Sequence, residues 1–305
     1  MDAARIVVEK GPGSPGRSGR GFTLRALRAG MGALGALAPG AAARLAERLW
    51  FTPPRLPPPR DAASRHGAAR PFALYPGGRE VVGWTLGDGP AVLLMHGWGG
   101  RAAQLLPLAE ALAARGLRAV ALDAPGHGAS GPSRLGRSQS TFFDFADALL
   151  EASALLGPAV ALAAHSGGAV ATLLALRGGL SPERVVLLAP MSRPARYADR
   201  YREALGLPAR VDAAWRAQAA ARLGFAWEDL DLVRSAREAP PATLVIHDRQ
   251  DREVEFADGE AVAEGWPGAR LVATSGLGHR RLLKEPRVLG LAADFLAGAR
   301  HPDPA

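Results

Sequence analysis

A serine becomes a nucleophile when a histidine takes its proton and a carboxylate orients that histidine, and this chain offers candidates for all three. Ser166 stands in Ala163-Ala164-His165-Ser166-Gly167-Gly168-Ala169, which ends one apolar run and begins a helical one. A serine on so sharp a strand-to-helix turn needs small residues two before and two after it, positions held by Ala164 and Gly168. Such a turn lifts the hydroxyl above a sheet and aims the Gly167 amide at the same space. The competing reading is a glycine-rich turn of any doubly wound protein, or a phosphate loop.

Two further loops bear on the same chemistry. His96-Gly97-Trp98-Gly99-Gly100 follows the apolar run Ala91–Met95, and its glycines let the Trp98 amide join Gly167 as a second donor to an oxyanion. Asp123-Ala124-Pro125-Gly126-His127-Gly128-Ala129-Ser130 closes the next run and reads as structural. Of seven histidines, His96, His127 and His165 belong to turns, where they serve the scaffold. His66 and His301 fall in tails, and His247 ends a strand. His279, in Gly276-Leu277-Gly278-His279-Arg280, follows the last strand pattern and is the candidate base. The acid belongs after the preceding strand, where Asp248 and Asp251 compete. Asp248 sits at the strand end and suits a turn cap. Asp251 lies deeper, three before Val254, and is the preferred partner for His279.

These residues need rigid elements to hold them. Runs at Arg79–Thr85, Ala91–Met95, Arg118–Leu122, Ala159–Ala164, Arg184–Leu188, Thr243–Ile246 and Arg270–Ala273 read as strands, the first antiparallel. Helical patterns at Ala102–Ala114, Phe142–Leu156, Ala169–Leu176, Ala257–Glu264 and Leu282–Ala297 alternate with them. That alternation predicts an α/β fold, a mostly parallel central sheet with helices on both faces, over residues 70–298. One interval, about 192–240, carries helices instead of a strand: Ala195–Leu205, Val211–Leu223 and Trp227–Ala236. It is expected to form a helical cap over the carboxyl edge of the sheet, where open parallel sheets keep their sites. Trp98 and the cap's Trp215, Phe225 and Trp227 are candidate apolar walls of a substrate pocket; the last three serve equally well as cap core.

The N-terminal part differs. Residues 1–21 read as a disordered basic tail, and 22–69 as an N-terminal helical extension broken at Pro39-Gly40 and ending in the proline-rich linker Pro53–Arg60. Residues 299–305 form a second tail. Residues 1–70 hold twelve basic and four acidic side chains, a net +8, whereas the remainder is balanced. The catalytic region therefore gives no reason to expect a nucleic-acid substrate, and the basic segment points at most to weak contact of residues 1–60 with an anionic membrane surface. No run is apolar enough to span a bilayer, so a cytoplasmic location is expected, with export or peripheral association as the alternatives. The chain has no cysteine, which removes disulfides and thiolate chemistry.

In HGWGG, DAPGHGAS, AHSGG, HDRQDREV and GLGHRR, in that order, the sequence resembles the α/β-hydrolases across roughly residues 70–298. The resemblance implies a Ser166–Asp251–His279 triad, a Trp98/Gly167 oxyanion hole and an elbow shaped by Ala164, His165, Gly168, His96 and Gly97. Ala164 departs from the usual first glycine, and the core fold does not require the N-terminal extension. Within the family it resembles most the small bacterial serine hydrolases of unassigned substrate, and the reading adopted is acyl transfer on a carboxylic ester or thioester of modest size, with no cofactor or metal. A C–C bond hydrolase, a peptidase or an acyltransferase would show the same motifs. A non-catalytic binding module is the alternative outside enzymes.

Overall fold

The computed structural model describes residues 5–7, 18–54, 69–234 and 240–298. Two compact units form, one from Met1–Glu9, Pro53–Ser192 and Leu232–Ala305, the other from Lys10–Thr52 and Arg193–Asp231.

In the first unit the apolar runs become strands. β1 is Arg5–Val7, β2 Arg70–Leu74, β3 Val81–Leu86, β4 Ala91–Met95, β5 Arg118–Leu122, β6 Ala159–His165, β7 Arg184–Leu188, β8 Ala242–Asp248 and β9 Arg270–Ser275. They make one sheet of order β1-β9-β8-β7-β6-β4-β5-β3-β2. All neighbours are parallel except β5–β3 and β3–β2. Every residue of β4 is buried, as a run apolar on both faces requires.

The first unit's helices are α3 (Leu106–Ala113), α4 (Phe142–Leu156), α5 (Gly168–Arg177), α8 (Phe256–Gly265), the short α9 (Gly278–Arg281) and α10 (Pro286–Leu296). α3 and α10 bury Leu108, Leu112, Val288 and Leu296 in one cluster with Val92, Leu94, Val186 and Ile246 from the sheet. The Thr141 hydroxyl caps α4 by accepting from the Asp144 amide, while the Asp144 carboxylate accepts from the Thr141 amide.

The second unit holds α1 (Ser18–Leu37), α2 (Pro39–Trp50), α6 (Pro194–Leu205) and α7 (Ala209–Leu223). The N-terminal helices thus share a core with the insertion instead of forming a separate extension. A Cβ on Gly35 would stand 3.1 Å from Pro208 Cγ, a tight contact that marks how closely α1 approaches the start of α7. The Tyr201 hydroxyl donates to Ala46 O (2.7 Å), and Arg222 pairs with Glu47 (2.8 Å). Trp50, Tyr201, Trp215 and Trp227 meet at ring separations of 5.3–5.9 Å. The helix expected over Trp227–Ala236 is a single short turn, Trp227–Leu230, while residues 235–239 lie outside the described part.

β1 and β2 were not evident in the sequence. β1 falls inside the stretch read as a tail, and α1 begins within it at Ser18. The rest of 1–21, the linker residues 55–68 and the tail 299–305 lie outside the described residues. Among the described residues, no helix is long and apolar enough to cross a membrane.

Candidate active site

Ser166 follows β6 with φ 53°, one of two non-glycine residues at positive φ among those described. A side chain in this region carries roughly 1–3 kcal/mol of strain, held here by packing on every side. The Ser166 amide donates to Leu188 O (2.9 Å), and Ser166 O accepts from Ala169 N (3.0 Å) and Met191 N (3.2 Å). Small neighbours permit the turn. A Cβ on Gly97 would lie 2.7 Å from Ser166 Cβ, and one on Gly168 would lie 2.7 Å from His96 O. Ala164 is fully buried in β6 between Met95 of β4 and Leu187 of β7, where a methyl fits.

The histidines divide as their surroundings dictate. His96 donates from Nδ1 to Gly97 O (2.7 Å) and accepts at Nε2 from the Ala124 amide (3.0 Å). His127 Nε2 accepts from the Gly99 amide (3.0 Å). Burial pulls both down, His96 to about 4 and His127 to about 3, so both are neutral struts of the loop from His96 to Gly100. His165 is also neutral, lowered first by burial and then by His279, and its Nε2–H donates to His279 O (3.1 Å). It therefore holds the backbone of the candidate base.

His279 Nδ1 lies 2.7 Å from Asp251 Oδ2. An ionised carboxylate fixes the tautomer with the proton on Nδ1, leaving Nε2 able to accept a proton. Asp251 is fully enclosed, and its Oδ1 accepts from the Glu253 (2.8 Å) and Val254 (3.0 Å) amides. Burial alone would raise its pKa. Hydrogen bonds from His247, His279 and the Val254 amide outweigh that and hold it well below the usual carboxylate range. Asp248 is engaged otherwise: Oδ1 accepts from the Gln250 amide (2.9 Å), and Oδ2 from Thr274 Oγ1 (2.8 Å) and the Leu277 amide (2.9 Å). It ties β8 to β9 and to the histidine loop.

Ser166 and His279 line one cavity of about 20 Å³, with Gly97, Trp98, Gln104 and His165. That volume holds about one water-sized oxygen. A Cβ on Gly167 would stand 3.6 Å from the Trp98 amide nitrogen, so these two amides are neighbours. Neither donates to a protein acceptor among the described residues. Such a site can activate a hydroxyl and stabilise an oxyanion. Glu253 and Arg280 also border the cavity, paired at 2.9 Å. No group of acidic or histidine side chains able to hold a metal occurs among the described residues.

The expected scaffold role of DAPGHGAS has a definite geometry. Asp123 Oδ1 accepts from the Ala102 amide (2.6 Å) and Oδ2 from the Ala129 amide (2.7 Å), joining the end of the glycine-rich loop after β4 to the turn after β5. Trp98 borders the Ser166 cavity, as a pocket wall would. Trp215, Phe225 and Trp227 belong to the second unit, where Trp215 is wholly buried and Phe225 packs on Trp227 at 5.3 Å. Sequence reading also missed His247, whose Nε2 is 3.4 Å from Asp251 Oδ2 and 3.3 Å from Val254 O. The signal was a histidine four residues before the acid, at the end of a buried strand.

A mostly parallel sheet with a strained serine after a central strand, an acid after the last strand but one and a histidine after the last defines an α/β-hydrolase. Residues 89–242, half of the chain, match the family described as serine aminopeptidase, S33, and the chain belongs to that family. Solved structures resemble it at low identity. A proline iminopeptidase-related protein of Thermus thermophilus is 23% identical, with TM-score 0.57, covering 76% of this chain and 98% of that one. Est1E of Butyrivibrio proteoclasticus, with ferulic acid bound, is 17% identical (TM-score 0.55, 74% and 96% covered). A mutant of the meta-cleavage product hydrolase CumD of Pseudomonas fluorescens, complexed with acetates, is 18% identical (TM-score 0.55, 75% and 98% covered). No curated protein matches the chain by sequence.

Proposed function

We propose that this α/β-hydrolase cleaves a carboxylic ester or thioester through an acyl-enzyme on Ser166. The observation that carries the reading is one cavity lined by a strained serine and by a histidine whose Nδ1 is held 2.7 Å from a buried carboxylate. Ser166 Oγ attacks the carbonyl while His279 Nε2 takes its proton. Asp251 stabilises the resulting imidazolium without accepting the proton itself. The Trp98 and Gly167 amides donate to the oxyanion, a contribution of roughly 3–4 kcal/mol per donor in comparable sites. Collapse breaks the bond to the leaving alcohol or thiol, which receives the proton from His279 Nε2. Water, deprotonated by the same nitrogen, then releases the acid and restores Ser166.

The family description favours a peptidase as the second reading, because an amide passes through the same tetrahedral intermediate. Turnover of 4-nitrophenyl esters of increasing chain length, against aminoacyl and prolyl 4-nitroanilides, tests both. Saturable ester turnover exceeding that of every anilide is expected. Anilide turnover exceeding ester turnover would replace the esterase by the peptidase, and turnover of neither would refute both.

A further inference from the structure

A second cavity, of about 340 Å³, shares Gly100 with the cavity of Ser166. Its size falls within the range of small-molecule sites. The side chains that bring charge to its lining are Arg101 and Arg137, with Ser138 beside them, and no carboxylate lines it. His127 in the wall is neutral, both ring nitrogens being committed to backbone partners. Gly99 (φ 69°), Gly126 (φ 78°) and Gly128 (φ 50°) in its wall take the left-handed backbone, and a Cβ there would strike Pro54, Gln139 O and the Asp123 carboxylate in turn. The loop carrying Arg137 is held at both ends. Ser133 and Gly136 exchange backbone hydrogen bonds (3.0 and 3.1 Å), and the Ser140 hydroxyl donates to Pro125 O (2.6 Å).

We infer that this cavity binds a carboxylate or phosphate group between Arg101 and Arg137, and that the group is an arm of the substrate whose acyl carbon reaches Ser166. The second half rests on the esterase reading. The first half stands on the cavity alone. Guanidinium recognises either anion through paired N–H donors, and the shared loop places the bound arm beside the oxyanion donors.

Calorimetric titration with succinate and with inorganic phosphate tests the first half without turnover. The unmodified protein should bind at least one of them saturably, and Arg137→Gln should weaken that binding by about ten-fold. Arg137 is exposed and lies outside the Ser166 cavity, so the variant should fold. Absence of saturable binding, or equal binding by both proteins, would overturn the proposal. The second half is read from the mono-4-nitrophenyl ester of succinate against neutral 4-nitrophenyl butyrate. Arg137→Gln should raise KM about ten-fold for the charged ester and leave the neutral one unchanged. Weakened anion binding with both KM values unchanged would mean that the site takes a separate anion, contradicting the substrate arm. Failure of the unmodified protein to cleave either ester would count against the esterase reading, while the titration would still decide the anion site.

Discussion

Asp251 Oδ2 stands 2.7 Å from His279 Nδ1, and His247 Nε2 approaches the same oxygen at 3.4 Å. Asp248, three residues earlier, contacts neither histidine and spends both oxygens on backbone amides and Thr274. The two carboxylates therefore predict opposite failures. Asp251→Asn should lower kcat by roughly 10⁴ while the melting temperature changes little, since removal of the orienting charge disturbs the tautomer. Asp248→Asn should instead lower the melting temperature, because an amide nitrogen replaces one acceptor of buried donors. Ester kinetics and thermal melts of both variants decide; a catalytic loss confined to Asp248→Asn would reverse the assignment.

The neutral histidines predict early acid lability. His96 falls to about 4 and His127 to about 3 in the folded chain, against 6.5 for an unperturbed histidine. Both are depressed, so below pH 6.5 the unfolded chain binds protons that the folded one refuses, and stability falls with pH. The loss runs from 6.5 down to about 4 for His96 and about 3 for His127, at roughly 1.4 kcal/mol per pH unit for each. Urea midpoints at about pH 7 and about pH 5 check this. A flat stability across that interval would show that these histidines are charged or exposed.

Gly97 is where a single methyl should act on catalysis. Its Cβ would fall 2.7 Å from Ser166 Cβ, so one of the two must move. Gly97→Ala should lower kcat/KM by about 10²-fold, as small displacements of reacting groups do, with a smaller change in fold stability. Steady-state kinetics on one ester are sufficient; wild-type turnover would mean that the serine is not where its backbone places it.

Trp215 belongs to the second unit's core. It is fully buried, donates from Nε1 to Asp212 (3.0 Å), and packs on Trp50 and Trp227. Trp215→Ala should cost about 3–5 kcal/mol of that unit's stability. Near-ultraviolet circular dichroism during thermal melting follows the loss, and an unchanged melt would contradict the core placement.

The serine turn, the acid loop and the histidine loop were legible because each lies at a strand end, where period and punctuation locate a residue to within one or two positions. β4, β5, β7 and α4 match their apolar runs residue for residue. Other features depend on partners distant in sequence. β1 has only three residues, and β2 carries a proline at an exposed edge, so neither shows a strand pattern. The union of α1 and α2 with α6 and α7 rests on contacts such as Tyr201 to Ala46, separated by 155 positions. Trp215 and Trp227 read alike as pocket wall or core until their neighbours are known. His247 ended a strand in the sequence; the turn through Val254 brings it to Asp251.

The central claim is that Ser166 is a nucleophile activated by His279. The most direct measurement is labelling with a fluorophosphonate, followed by mass analysis of the modified peptide. The account predicts one phosphonyl group per chain on Ser166, none on Ser166→Ala, and labelling slowed by orders of magnitude in His279→Ala, in step with the loss of ester turnover. Labelling that persists in Ser166→Ala, or a folded wild-type protein that hydrolyses esters while Ser166 stays unmodified, would contradict it.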